Sequence, residues 1–153
     1  MISVLIETKD HEAELARTLA SLVQGAVEGV VREVVVCDRG STDGTALVAE
    51  HAGCVFVAGT SAQDQAETAR GDWLLFLQPG ARLASGWVES VREHIAVSKV
   101  PARFSRSSQT ALPVWSRLLT RRNAFAEGLL IPKPAFGRPR KPLRLRAEIH
   151  AAD

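Results

Sequence analysis

Val34-Val35-Val36-Cys37-Asp38-Arg39-Gly40-Ser41-Thr42-Asp43-Gly44 is the stretch on which the fold turns. Four consecutive apolar residues, three of them β-branched, suit a strand buried on both faces, the usual state of a strand inside a parallel sheet. Asp38 to Gly44 then break the run with turn formers and an N-cap candidate, so a helix is expected from Thr45 to about His51. Gly53 stands where a left-handed residue closes such a helix, and residues 54–57 are apolar again. The unit reads strand, helix, strand.

The same alternation extends in both directions. Residues 2–6 form a short apolar run that ends at Glu7, Thr8, Lys9 and Asp10. Leu15, Leu19 and Leu22 then recur at helical spacing, which predicts a helix over 11–23 with Asp10 accepting an early backbone N–H. Downstream, residues 63–70 suit a short helix, Gly71 and Asp72 a turn, 73–77 a fourth strand ending at Gln78-Pro79-Gly80, and 86–97 a further helix. Past Pro101 the pattern weakens to a strand over 102–104, a basic amphipathic helix over 112–122 and a strand over 128–131. Strands alternating with helices imply an α/β, Rossmann-like fold with a mostly parallel sheet.

Composition fits one ordinary globular domain: 153 residues, 46% apolar and 24% charged, close to average usage. No apolar run approaches the ~18 residues of a membrane span, and Met1 leads directly into the first strand, so the expectation is a cytoplasmic protein. Cys37 and Cys54 have no metal-type spacing and are expected to be buried free thiols. His11, His51, His94 and His150 are scattered, and no zinc site is read from them. Charge is uneven. Residues 1–100 carry 8 basic and 14 acidic side chains, net −6, whereas 101–153 carry 11 and 3, net +8.

The basic segment includes Arg121, Arg122, Arg138, Arg140, Lys141, Arg144 and Arg146, among several prolines and few aromatics. It is expected to be a solvated tail, with an anionic membrane surface or a protein partner as its alternatives and no nucleic acid as partner.

In open parallel sheets, ligands bind beyond the carboxyl ends of the strands, where loops converge and helix N-termini present free N–H groups. Three loops qualify here: residues 7–10, 38–44 and 78–82. Asp38 at a strand end can accept a base N–H or a ribose hydroxyl, and Gly40 lets backbone approach a ligand. The same two residues also suit a plain turn.

Residues 2–10, then Leu15-Ala16-Arg17-Thr18-Leu19-Ala20-Ser21-Leu22, then Val36-Cys37-Asp38-Arg39-Gly40-Ser41-Thr42-Asp43-Gly44-Thr45, together with Ala69-Arg70-Gly71-Asp72-Trp73-Leu74-Leu75-Phe76-Leu77, resemble the opening of family 2 glycosyltransferases. The resemblance covers residues 2–97, with 128–131 similar to a later family strand. It implies a three-layer GT-A, nucleotide-diphospho-sugar transferase fold: one domain over 1–136, made of a nucleotide-binding half (1–100) and a reduced acceptor half (101–136), followed by the tail 137–153. It also implies sugar transfer from a nucleotide-diphospho-sugar to an acceptor, with UDP or a UDP-sugar as ligand. By matching position, Thr8 and Asp38 would contact the base, with Glu7, Arg39, Gly40 and Ser41 beside them.

The chain departs from the family pattern at several places. Arg39 replaces the second of two adjacent acidic residues, and Glu7 replaces a proline. Gln78-Pro79-Gly80 replaces the Asp-x-Asp that holds Mn²⁺ or Mg²⁺ against the donor's diphosphate. An amide and a glycine do not supply the anionic oxygens a hard cation needs, so no metal cofactor is expected. Charge develops on the departing diphosphate during transfer, and something cationic must stabilise it; Arg82 or Arg39 are the candidates, because guanidinium binds phosphate bidentately. The general base has no mapped counterpart. Glu127 is its default by elimination, and a surface residue is the alternative. The loop from Gly59 to Arg70 is shorter than its family counterpart, which implies a smaller or more open pocket. A non-catalytic nucleotide-binding or protein-interaction module stands as the competing reading.

Overall fold

The computed structural model describes residues 1–106, 128–138 and 141–150. Within them the chain runs β1 (Ile2–Thr8), α1 (Glu12–Val27), β2 (Val31–Asp38), α2 (Thr45–His51), β3 (Val55–Ala58), β4 (Trp73–Leu77), β5 (Arg82–Leu83), α3 (Trp87–Val97), β6 (Ala102–Arg106), β7 (Leu129–Pro132), a 3₁₀ turn (Lys133–Ala135) and β8 (Leu143–His150). The predicted helix over 112–122 and Glu127 lie outside the described residues.

The strands form one sheet in the order β3-β2-β1-β4-β7-β6-β8-β5. The first four are mutually parallel. β7 runs antiparallel to β4 and β6, β8 runs parallel to β6, and β5 antiparallel to β8. A mostly parallel Rossmann-like sheet is what the alternation predicted.

Period-two alternation sorts each strand between two apolar clusters. Ile2, Val4, Ile6, Val36, Trp73, Leu75 and Leu77 meet Leu15, Leu19 and Leu22 of α1, Ala49 of α2 and Trp87, Val88 and Val91 of α3. Leu5, Val35, Cys37, Leu74 and Phe76 face the other way, against Ala62, Ala66, Ala69 and Ile131. Among the described residues all three α-helices therefore cover one face. Ala62, Ala66 and Ala69 belong to a run of turns rather than the helix predicted over 63–70. Local bonds compete with a helical ladder there: Asp64 accepts from the Ser61 amide and hydroxyl, and the Thr68 hydroxyl donates to the Gln65 carbonyl.

Two further expectations are corrected. Asp10 does not cap α1; it has φ 52°, and its carboxylate instead accepts from the Thr42 amide at 2.6 Å. The solvated-tail reading does not hold for Leu143–His150, which is a strand. Leu145, Ala147 and Ile149 are buried while Arg144, Arg146 and Glu148 are exposed, a clean alternation. Cys37 is buried and Cys54 half-buried, both as free thiols, and burial pushes each up to about 11.

One polar network ties the amino end of the sheet together. Buried Ser3 donates to Glu33 at 2.6 Å and accepts from the Gly71 amide at 2.8 Å. Glu33 also accepts from the Arg70 amide at 2.6 Å and pairs with its guanidinium at 3.4 Å. Burial alone would raise the Glu33 carboxyl; the amide, the hydroxyl and the nearby arginines outweigh it and hold the carboxyl below its ordinary value.

Candidate functional site

Register decides which loops meet. β1 and β2 pair with Thr8 opposite Asp38, and β1 and β4 pair with Ile6 opposite Leu77. Thr8 and Asp38 thus stand side by side at the carboxyl edge of the sheet, and Gln78 follows the end of β4 at the same edge, where loops gather.

Asp38 is buried, with 5% of its surface exposed. One carboxylate oxygen accepts from the amides of Gly40 (3.0 Å) and Ser41 (2.9 Å), and the other from the Ser41 hydroxyl. Gly40 takes φ 93° to allow this ring, a conformation that favours glycine. Burial disfavours the Asp38 charge most strongly, but the Ser41 hydroxyl and the two amides more than compensate, so its carboxyl lies below the ordinary range. These bonds make Asp38 a turn former, placed at the carboxyl edge of the sheet.

Its neighbour Thr8 is different. The Thr8 side chain is buried, and its hydroxyl has no hydrogen-bond partner among the described residues. An unsatisfied buried hydroxyl costs about 1–3 kcal/mol, and its place beside Asp38 marks a position where a ligand atom would relieve that cost.

The loops above this pair are stitched to one another. The Asp10 amide donates to the Ser41 hydroxyl at 2.8 Å, Glu12 accepts from the Gly44 amide at 3.0 Å, and Asp43 accepts from the Glu12 amide at 3.1 Å and the Thr45 amide at 3.0 Å. Thr45 and Asp43 bond through their side chains as well. The early α2 amides are therefore satisfied by carboxylates of the chain itself, and the site is preorganised.

Two residues that break the family pattern are partners of each other. Arg39 lies 3.3 Å from one Glu7 oxygen, while the other Glu7 oxygen accepts from the Ala62 amide at 3.1 Å. Glu7 thus pins the turn segment to the site's rim, and Arg39 has its charge engaged there.

Beyond β4, Gly80 (φ 91°) donates its amide to the Thr18 hydroxyl at 2.9 Å and to the Glu14 carbonyl at 3.0 Å, and the Ala81 amide donates to the Gln78 carbonyl at 3.1 Å. Gln78-Pro79-Gly80 is a tight turn fastened to α1. It brings no carboxylate to the edge, and among the described residues no three His, Cys, Asp or Glu side chains converge. This donor set does not fit Mn²⁺ or Mg²⁺. Arg82 is exposed at the start of β5, directly opposite His150 at the end of β8. Sequence reading set His150 aside, and no signal in the chain announces that residues so far apart pair.

A cavity of about 800 Å³ lies elsewhere, at the amino edge of the sheet, lined by Arg70, Trp73, Lys99, Lys133 and Phe136 among others. It contains none of the residues selected from sequence.

The arrangement has counterparts among solved structures. Glucosyl-3-phosphoglycerate synthase from Mycobacterium tuberculosis, crystallised with Mn²⁺, UDP and glucosyl-3-phosphoglycerate, superposes with a TM-score of 0.62 at 18% identity, over 88% of this chain and 57% of that one. This chain has the GT-A glycosyltransferase fold. Other matches are TarS from S. aureus in complex with UDP (TM-score 0.62, 19% identity, 73% of this chain and 38% of that one) and a mycobacterial protein (0.64, 18%, 100% and 67%). The chain spans 57% of the synthase's length. No protein-family model and no curated protein sequence matches it. Among the described residues, no helix is long and apolar enough to cross a membrane.

Proposed function

We propose that this GT-A-like chain binds a nucleotide-diphospho-sugar, with UDP as the nucleotide, at the carboxyl edge of β1, β2 and β4, and passes the sugar to an acceptor without a bound metal. The observation that carries the reading is the buried Thr8 hydroxyl, unpartnered among the described residues, beside ionised Asp38. That pair offers one neutral donor-acceptor and one anionic acceptor on adjacent strand ends, which matches the mixed N–H and C=O edge of a pyrimidine base. The UDP complexes of the structural neighbours support the same ligand class.

A second reading rests on Gln78-Pro79-Gly80. Without carboxylates there, stabilisation of the departing diphosphate worth several kcal/mol is missing, and transfer slows by powers of ten. On this reading the chain is a non-catalytic nucleotide-binding or protein-interaction module of the same fold.

Calorimetry with UDP and UDP-sugars, with Mn²⁺ and with a chelator, tests both. Binding that is lost in Asp38→Ala and indifferent to metal is expected; absence of binding in every condition rejects the nucleotide site and leaves the protein-interaction reading. Release of UDP from a UDP-sugar in chelator then separates an enzyme from a binding module.

A further inference from the structure

We infer that Arg82, together with His150 across the β5–β8 pair, forms an anion subsite that holds the diphosphate of the bound nucleotide in place of a metal ion. The inference rests on the proposed nucleotide site and extends it to the groups that meet the negative charge.

Three observations converge. The turn Gln78-Pro79-Gly80 that follows β4 has no anionic ligand to offer a cation, so a phosphate approaching it is met by no metal-carboxylate set. Arg39 is engaged by Glu7 at 3.3 Å, whereas Arg82 makes no ion pair among the described residues and is exposed. Arg82 also follows Gly80 by only two positions, and Gly80 is fixed to α1 through Thr18 and Glu14, so the start of β5 is anchored beside the end of β4.

Register supplies the second donor. Arg82 and His150 are direct partners, and the next pair along, Leu83 and Ile149, is buried in the cluster beneath α1 and α3. Side chains alternate across a strand, so Arg82 and His150 project together from the opposite face. Directly opposed residues in an antiparallel pair place their Cβ atoms about 4.5–5.5 Å apart, close enough for a guanidinium and an imidazole N–H to contact one phosphate. β8 runs parallel to β1 through β6, β7 and β4, which puts His150 at the same carboxyl edge as Thr8 and Asp38. Glu148, the next side chain of that face along β8, is exposed to solvent, and Arg146 and Arg144 follow it. Guanidinium is the suitable substitute because it stays charged and grips phosphate oxygens in pairs.

The test compares uridine with UDP by calorimetry in a chelator, for the parent chain and for Arg82→Ala, Arg82→Lys and His150→Gln. Uridine reads the nucleoside pocket alone, and the gain of UDP over uridine reads the diphosphate subsite. The parent should bind UDP more tightly than uridine without metal. Arg82→Ala should reduce that gain about tenfold, the worth of one charge-assisted hydrogen bond, with Arg82→Lys keeping part of it and His150→Gln losing a smaller share. Uridine affinity and thermal midpoint should be unchanged, which a merely structural role would not leave intact. A gain unaltered in both Arg82→Ala and His150→Gln overturns the subsite, as does a gain that exists only with Mn²⁺. Uridine and UDP both failing to bind rejects the nucleotide reading itself, and the subsite with it.

Discussion

Thr8 offers an unusual separation of stability from binding. Its hydroxyl is buried without a partner among the described residues, so Thr8→Val removes an unsatisfied polar atom while keeping the branched shape. Chemical denaturation should show the variant as stable as the parent or up to about 2 kcal/mol more so, while UDP binding weakens; a destabilised variant would mean the hydroxyl has a structural partner. Acid sensitivity is a second consequence at this scale. Glu33 and Asp38 have folded pKa values below their ordinary 4.5 and 3.8, so the unfolded chain binds more protons than the folded one as pH falls through those values. Their contribution is complete above about pH 5 and is lost progressively below it. Glu33→Gln should lower stability at pH 7 and flatten the acid limb of a stability-pH profile; an unchanged limb would contradict the network drawn around Ser3, Arg70 and Gly71. Some of this was legible from residue types alone: Gly53 takes φ 70° as its position after α2 demands, and Asp38 sits at the strand end where it was expected. The partnership of Glu7 with Arg39 was not, because a contact between loops depends on register rather than on local pattern.

Elements follow a similar division. The buried strands announced themselves by apolar runs, and β4 and α2 begin and end where the sequence placed them. The segment over 63–70 has helix-compatible residues but lacks a long apolar stripe; three alanines lie flat on the sheet, and hydroxyl and carboxylate groups take the local hydrogen bonds. β8 carried a readable period of two in Leu143, Leu145, Ala147 and Ile149, masked by reading the segment for its basic composition. β5 spans two residues and gives no periodic signal. Helix contacts make a sharper prediction. A Cβ on Gly25 would stand 2.4 Å from the Trp87 ring and 2.9 Å from Val31, and Trp87 is buried with its indole N–H donating to the Ser21 carbonyl at 3.2 Å. Alanine gains about 1 kcal/mol in helix propensity, yet overpacking costs about 1–3 kcal/mol, so Gly25→Ala should lower the thermal midpoint. A raised midpoint would show that α1 and α3 are not in such close contact.

At the level of the whole molecule, a parallel half made of β3, β2, β1 and β4 continues without a break into a mixed half through the β4–β7 pairing. That continuity gathers the carboxyl ends of β1, β2, β4 and β8 and the start of β5 at one edge, and the cavity of about 800 Å³ lies at the other. Nucleotide binding at the carboxyl edge is tested most directly by backbone amide shifts measured by NMR during titration with UDP in a chelator. Perturbations confined to Thr8, Asp38 to Ser41, Gln78, Gly80 to Arg82 and His150 are predicted. No perturbation, or perturbation centred on Arg70, Lys99 and Lys133 at the opposite edge, would contradict it.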